Sequence, residues 1–204
     1  MGPLIRADAL ELSAFIRPND RVVCGQAGAE PLTLSRRLVD QRASLGAGVQ
    51  VFLGAMFSDT FQPAHADHLR FAAYGAMGGT VPLAQAGRLD VMPCHYSELE
   101  QAFETGRWRA DVVLLQLSPG VDGGPPSLGL GNDYACAAAR RARVVIAELN
   151  PEAPWTFGAQ WPEGLRIDCV VQADSAPLQI PASAFGDVET RIAQRVAAIV
   201  PDRA

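Results

Sequence analysis

The stretch RVVCGQAGAEPLTLSRRLV, Arg21 to Val39, reads as a buried strand, a glycine turn and the opening of a helix. Val22, Val23 and Cys24 form an apolar strand end, and Gly25 and Gly28 are expected to turn with φ > 0 and to leave room beside the backbone. Pro31 has the fixed φ and missing N–H that suit a first helical turn, and Leu32, Leu34, Leu38 and Val39 give that helix an apolar face. The free N–H groups of such a helix start attract anions, so a phosphate or carboxylate ligand is expected there. The spacing is neither a lysine-bearing phosphate loop nor G-x-G-x-x-G, which leaves a tight βα turn that binds nothing as the alternative. Glu30 reads as a first-turn carboxylate facing the helix dipole.

Outward from this stretch, composition sets bounds. The 204 residues are 49% hydrophobic and 19% charged, enough for one large domain with its own core. The net charge is −5, and basic residues are single or in short pairs such as Arg36 with Arg37, so no nucleic-acid footprint is present. All 17 basic residues are arginine, which excludes Schiff-base chemistry and a phosphate-loop lysine within this chain. Cys24, Cys94, Cys136 and Cys169 form no C-x-x-C pair, and Cys24 and Cys169 sit in apolar runs, as expected of reduced thiols in a cytoplasmic protein. The N-terminal MGPLIRADALELSAF is broken by Arg6, Asp8 and Glu11, so neither a secretory leader nor a membrane span is expected, and Arg6 breaks the myristoylation pattern.

Along the chain, Ile5, Ala9, Leu12 and Ile16 recur at helical spacing before Pro18-Asn19-Asp20. A strand is expected at Val49 to Leu53, a helix at Ala64 to Phe71, a short helix around Pro82 to Ala86, and a strand at Leu89 to Met92. His65 and His68 share no third ligand, so no metal is assigned. Ser97 is read as the N-cap of a helix to Thr105. Val112 to Leu117 and Val144 to Leu149 are continuous apolar strands, Tyr134 to Ala142 a small-residue helix, and Ile167 to Val171 a further strand. Ser118 to Asn132 is a Gly- and Pro-rich loop of a length that usually serves a site. The alternation predicts an α/β domain: a mostly parallel sheet with helices on both faces and a ligand crevice at the strands' carboxyl ends, where the loops after Cys24, Leu117 and Leu149 meet. Val188, Ile192, Val196 and Ile199, followed by Pro201-Asp202-Arg203, echo the opening segment, so 187–204 reads as the start of a second module whose strand and glycine turn do not follow.

Five segments in order carry a resemblance: G-x-x-x-x-x-P at Gly25 to Pro31, GRLDVMPCHYSELEQAF from Gly87, DVVLLQLSPG from Asp111, SLGLGNDY from Ser127, and VVIAELNPEAP from Val144. Together they resemble the N-terminal domain of the acetyl-CoA hydrolase and transferase family, which includes 4-hydroxybutyrate CoA-transferases. The resemblance implies a CoA-transferase-like (NagB/RpiA-like) fold over residues 1–204, two similar domains in the whole enzyme, and a role in acyl-CoA and acetate metabolism. It also implies no permanently bound cofactor and coenzyme A as substrate, with an acyl-CoA and a short carboxylic acid as ligands. In the family a glutamate of the second domain attacks the thioester to give an acyl anhydride, which CoA opens to a glutamyl-CoA thioester.

The matching nucleophile falls outside this chain, so no catalytic residue is assigned. Gly25, Gly28, Pro31, Ser118, Pro119, Ser127, Gly129 and Asn150 are the implied substrate- and CoA-binding positions. Gly120-Val121-Asp122-Gly123-Gly124 departs from the family pattern: the histidine's place is taken by Gly123 and the acid is displaced to Asp122. The segment Tyr74 to Pro82 lacks the family's arginine. Three functions compete: a CoA-transferase or acyl-CoA hydrolase half that needs a second-domain partner chain or a homo-oligomer, a non-catalytic binding or scaffold protein of the same fold, and an unrelated nucleotide-binding α/β protein using the Gly25 turn.

Overall fold

The computed structural model describes residues 2–180, 182 and 184–203. Eight strands, β1 (Leu4–Ile5), β2 (Arg21–Cys24), β3 (Gln50–Leu53), β4 (Arg70–Ala73), β5 (Leu89–Val91), β6 (Val112–Leu117), β7 (Val144–Leu149) and β8 (Cys169–Gln172), form one sheet in the order β1-β8-β7-β6-β2-β3-β4-β5. Every pairing is parallel. Five α-helices accompany it: α1 (Leu32–Asp40), α2 (Val81–Gln85), α3 (Leu99–Glu104), α4 (Tyr134–Arg141) and α5 (Asp187–Ala197).

Strand periodicity sorts the core into two layers, because successive side chains point to opposite faces. Val22, Val51, Leu114 and Ile146 face the layer that Leu34 and Leu38 of α1 complete, together with Leu10, Leu12 and Ile16. Val23, Phe52, Val113 and Val145 face the other layer, closed by Leu99 and Phe103 of α3 and the alanines of α4. β6 and β7 are buried on both faces, which is why their sequences read as unbroken apolar runs.

Three expectations are corrected. Residues 5–16 form no α-helix: Leu4–Ile5 is an edge strand on β8, followed by 3-10 turns at Ala7–Ala9 and Leu12–Ala14. Leu10, Leu12 and Ile16 enter the core from an irregular path, so the echo between the two chain ends is one of spacing and not of structure. Ala64 to Phe71 is split into a 3-10 helix at Pro63–Asp67 and β4. Ser97 caps nothing; a 3-10 turn at Tyr96–Glu98 leads into α3 with no side-chain cap. α5 forms where a helix was expected, but none of its residues is buried.

Candidate functional site

β7, β6 and β2 are neighbours in the sheet, so Asn150, Ser118 and Gly25 leave their strands side by side. Gly25 N–H donates to Leu114 O at 2.9 Å and Asn150 N–H to Leu117 O at 2.8 Å, continuing the ladder one residue past the strands. The chain order reverses between β2 and β6, and open α/β sheets bind ligands at the carboxyl side of such a reversal. The positions of Gly25, Gly28, Pro31, Ser118, Pro119 and Asn150 thus fall on one rim.

Within the turn after β2 the left-handed residue is Ala27, at φ 53°, and neither Gly25 nor Gly28 has a positive φ. The glycines answer to space instead. A Cβ on Gly25 would lie 2.7 Å from Ala29 O, and one on Gly28 would lie 3.1 Å from Leu130 Cδ1. Between them stands Gln26, which sequence reading passed over. Its Nε2 donates to Tyr96 OH and Asp133 Oδ2, each at 3.0 Å, and its Oε1 accepts from Ala55 N at 2.8 Å and Tyr74 OH at 2.9 Å. One carboxamide therefore ties the loops after β2, β3, β4, β5 and β6. Gly54 makes this possible, because a Cβ there would collide with Gln26 Oε1. The signal in the sequence was a glutamine inside a glycine turn, which carries no chemistry until its partners are known.

The carboxylate at the start of α1 is Glu148 and not Glu30. Glu148 is fully buried at the end of β7, and its Oε2 accepts from Thr33 N at 2.8 Å and Leu34 N at 3.2 Å. The amides expected to hold an external anion are thus taken by the protein's own side chain. Burial outweighs these bonds and raises the Glu148 pKa to about 7, with Oε1 left unpartnered among the described residues. Glu30 is also fully buried; its Oε1 accepts from Ser35 Oγ at 3.0 Å and Ser58 Oγ at 2.8 Å, and burial raises its pKa in spite of them. The Cys24 thiol is pushed well above its usual range by burial, with Glu30 and Glu148 adding to the effect.

The loop after β6 is clasped. Ser118 and Ser127 exchange backbone bonds at 2.8 and 3.0 Å, and the buried Ser127 Oγ accepts from Gly129 N at 3.0 Å and Thr156 N at 3.2 Å. Gly129 turns at φ 58°, where glycine is favoured. Asn150 is 1% exposed; its Nδ2 donates to Gln116 Oε1 at 3.1 Å and Ser175 O at 3.0 Å, and its Oδ1 accepts from Glu152 N. Gln116 Nε2 in turn reaches Gly28 O at 3.3 Å. Ser127 and Asn150 therefore shape the rim with their side chains turned inward. His65 Nδ1 accepts from Gln62 N, and among the described residues no group of three or more His, Cys, Asp or Glu is placed to hold a metal ion. The four cysteines are free thiols, and no helix among the described residues is long and apolar enough to cross a membrane.

With this geometry in place, the comparisons with known proteins are specific. The family model described as acetyl-CoA hydrolase/transferase N-terminal domain matches residues 5–175. The 4-hydroxybutyrate coenzyme A transferase of Clostridium kluyveri is 32% identical over 190 residues, covering 93% of this chain and 44% of that protein. RipA from Yersinia pestis superposes with a TM-score of 0.84 at 20% identity over 98% of this chain and 49% of its own. The 4-hydroxybutyrate CoA-transferase from Porphyromonas gingivalis does so with a TM-score of 0.69 at 25% identity over 98% and 46%. The chain thus spans less than half the length of these relatives, and it belongs to the acetyl-CoA hydrolase/transferase family, matching its N-terminal domain.

Proposed function

We propose that this chain is the N-terminal half of an acyl-CoA:carboxylate CoA-transferase or acyl-CoA hydrolase, and that it shapes one wall of the substrate site while a second half supplies the nucleophile. The observation that carries this reading is the match to a 4-hydroxybutyrate CoA transferase over 93% of the chain. The convergence of the Gly25, Ser118 and Asn150 loops at one rim agrees with it.

In the reaction, a carboxylate of the second half attacks the thioester carbonyl and the CoA thiolate leaves, giving a mixed anhydride. The thiolate then attacks the enzyme's acyl carbon, releasing the first acid and leaving an enzyme-bound CoA thioester. Transfer follows when an acceptor carboxylate attacks this enzyme thioester, expelling the CoA thiolate, which then attacks the acceptor's acyl carbon and frees the enzyme carboxylate; hydrolysis follows when water attacks the thioester and releases CoA. Glu30 and Glu148 do not suit the nucleophile's role, because both are fully buried and bonded to α1 or its surroundings. This chain's part is to present a preshaped surface, with Gly25 and Gly28 letting backbone come close and Ser127 holding the loop after β6.

The test supplies acetyl-CoA and a short acceptor acid to the purified chain, with borohydride reduction to trap any glutamyl thioester. No appreciable turnover is expected from residues 1–204 alone. Robust turnover lost on Glu30→Gln would place the nucleophile in this chain and overturn the division of labour.

A further inference from the structure

Arg107-Trp108-Arg109 connects α3 to β6 and has no part in the rim. Its path is fixed: Trp108 N–H donates to Ala102 O at 2.9 Å, and the Arg109 guanidinium holds Asn19 O and Asp111 Oδ2, each at 2.7 Å. Trp108 packs on Phe52 and Phe103, with ring centroids 5.3 and 5.8 Å away, yet it is only half-buried. A cavity of about 210 Å³ opens beside it. This cavity runs from the amino ends of β2 and β3, where Arg21 and Gln50 stand, over Phe52 to Met92, which follows β5. Charge therefore gathers at one end and apolar surface at the other.

Two kinds of unused binding capacity meet here. The guanidinium groups of Arg21 and Arg107 make no hydrogen bond or ion pair among the described residues. The carboxylates at the same place are already engaged: Asp111 Oδ2 accepts from Arg109 Nε and Arg21 N–H, and Asp90 Oδ2 accepts from Gln50 Nε2 at 3.2 Å. Arg70, the register partner of Gln50, adds positive charge along the same strand edge. The second unused group is the Trp108 indole. Trp155 and Trp161 donate their ring N–H to the carbonyls of Pro125 and Leu165, whereas Trp108 Nε1 donates to nothing among the described residues. An indole packed on two other rings ordinarily finds a partner for its N–H.

Arginines at the mouth of an aromatic-walled cavity match an acid whose head meets guanidinium and whose body lies on rings. Size narrows the class. The space corresponds to about seven water molecules at liquid density, which suits an acid with one ring or a short chain and is too small for the nucleotide of CoA. We infer that this cavity is a second ligand site of the protein, taking a small monocarboxylic acid with a flat apolar body. Arg21 and Arg107 bind the carboxylate, Trp108 offers its ring and its free N–H, and Phe52 and Met92 receive the body. Inorganic phosphate brings charge without a body, and an amide of the same shape brings the body without charge, so each forgoes half of the interactions. The site stands apart from the Gly25, Ser118 and Asn150 loops and does not depend on the functional reading above.

The experiment titrates benzoate into the full chain by calorimetry and follows backbone amide shifts, with benzamide and inorganic phosphate as the probes that lack charge and ring respectively. The expected result is one saturable benzoate site at millimolar concentration or below, with shifts at Gln50, Met92 and Arg107 to Ala110. Benzamide and phosphate should each bind about tenfold more weakly or not at all. The double variant Arg21→Gln, Arg107→Gln should lose about tenfold in benzoate affinity, while the charge-matched pair Arg191→Gln, Arg195→Gln on α5 should lose nothing. All four arginines are exposed, and circular dichroism checks that each variant is folded; Arg107→Gln alone, with part of the loss, replaces a double variant that is not. Absence of saturable benzoate binding, affinity indifferent to the Arg21 and Arg107 changes, or shifts centred on the Gly25 turn would each overturn the proposal. Phosphate binding as tight as benzoate would reduce the cavity to a patch of positive charge and overturn it as well.

Discussion

The two ends of the parallel sheet are built on opposite electrostatic plans. Where the chain enters β2, β6 and β8, aspartates bond backbone amides and pair with arginines: Asp20 with Arg143 at 2.6 Å, Asp111 with Arg109 at 2.7 Å, and Asp168 with Arg166 at 2.9 Å. Each aspartate also accepts an amide near a strand start, from Arg17, Arg21 and Val145 respectively. At the carboxyl rim the linking groups are amides and hydroxyls, and the carboxylates Glu30 and Glu148 are buried and held by hydroxyls and backbone amides. Charge fastens one end, and at the other it is withdrawn from the surface or left exposed to solvent. A site that handles acyl-CoA gains from the second plan, since a rim already filled with its own ion pairs would have to break them to admit a ligand.

The contrast can be broken first at the fastened end. Asp20 is 6% exposed and holds both Arg17 N and the Arg143 guanidinium, so Asp20→Ala should cost about 3 kcal/mol in urea denaturation. A loss below about 1 kcal/mol would mean that the pair is as weak as a solvated one.

At the rim, removing charge should help. The Glu148 pKa is raised from 4.5 to about 7, so between these values the folded state binds more protons than the unfolded state. Its contribution to stability is complete below about pH 4.5 and is lost as pH rises through about 7. Denaturation curves from pH 4.5 to 8 should therefore fall by about 3 kcal/mol on this account in the wild type. In Glu148→Gln that part of the slope should vanish, because the amide oxygen can still accept from Thr33 and Leu34. An unchanged slope in the variant would assign the dependence to other groups.

The smallest effect concerns backbone. Ala27 holds φ 53° within the rim turn, so Ala27→Gly should stabilise by about 0.5–1 kcal/mol by relieving the left-handed strain, less what glycine's freedom in the unfolded chain takes back. Destabilisation would show that the Ala27 methyl packs usefully.

How much of this could be read in advance differs between the same regions. β2, β6 and β7 were legible because burial on both faces demands continuous Val, Leu and Ile, and their adjacency followed from strand and helix alternation. β4, with sequence RFAA, was not, because two alanines and one phenylalanine carry little strand preference and the preceding Pro63–Asp67 turn imitates a helix. β1 was missed since two residues on a sheet edge take their structure from β8, far along the chain. At the rim, the glycine positions could be named from sequence but the reason could not: the demand at Gly25 is the Ala29 carbonyl and not a positive φ. Glu148 passes unnoticed within the apolar run Val144 to Leu149 because its partner amides lie 115 and 114 residues away, and Gln26 is silent for the same cause.

The claim that the carboxyl rim is the ligand side is tested most directly by titrating CoA to millimolar concentration into the isotopically labelled chain and following backbone amide shifts. The account predicts weak, saturable shifts confined to the loops after β2 and β6, from Gly25 to Glu30 and from Ser118 to Gly131. It also predicts none at the opposite end, where Arg21, Arg107, Trp108 and Arg109 line a separate cavity of about 210 Å³. Shifts centred on that arginine-lined cavity, with the rim loops unmoved, would contradict it.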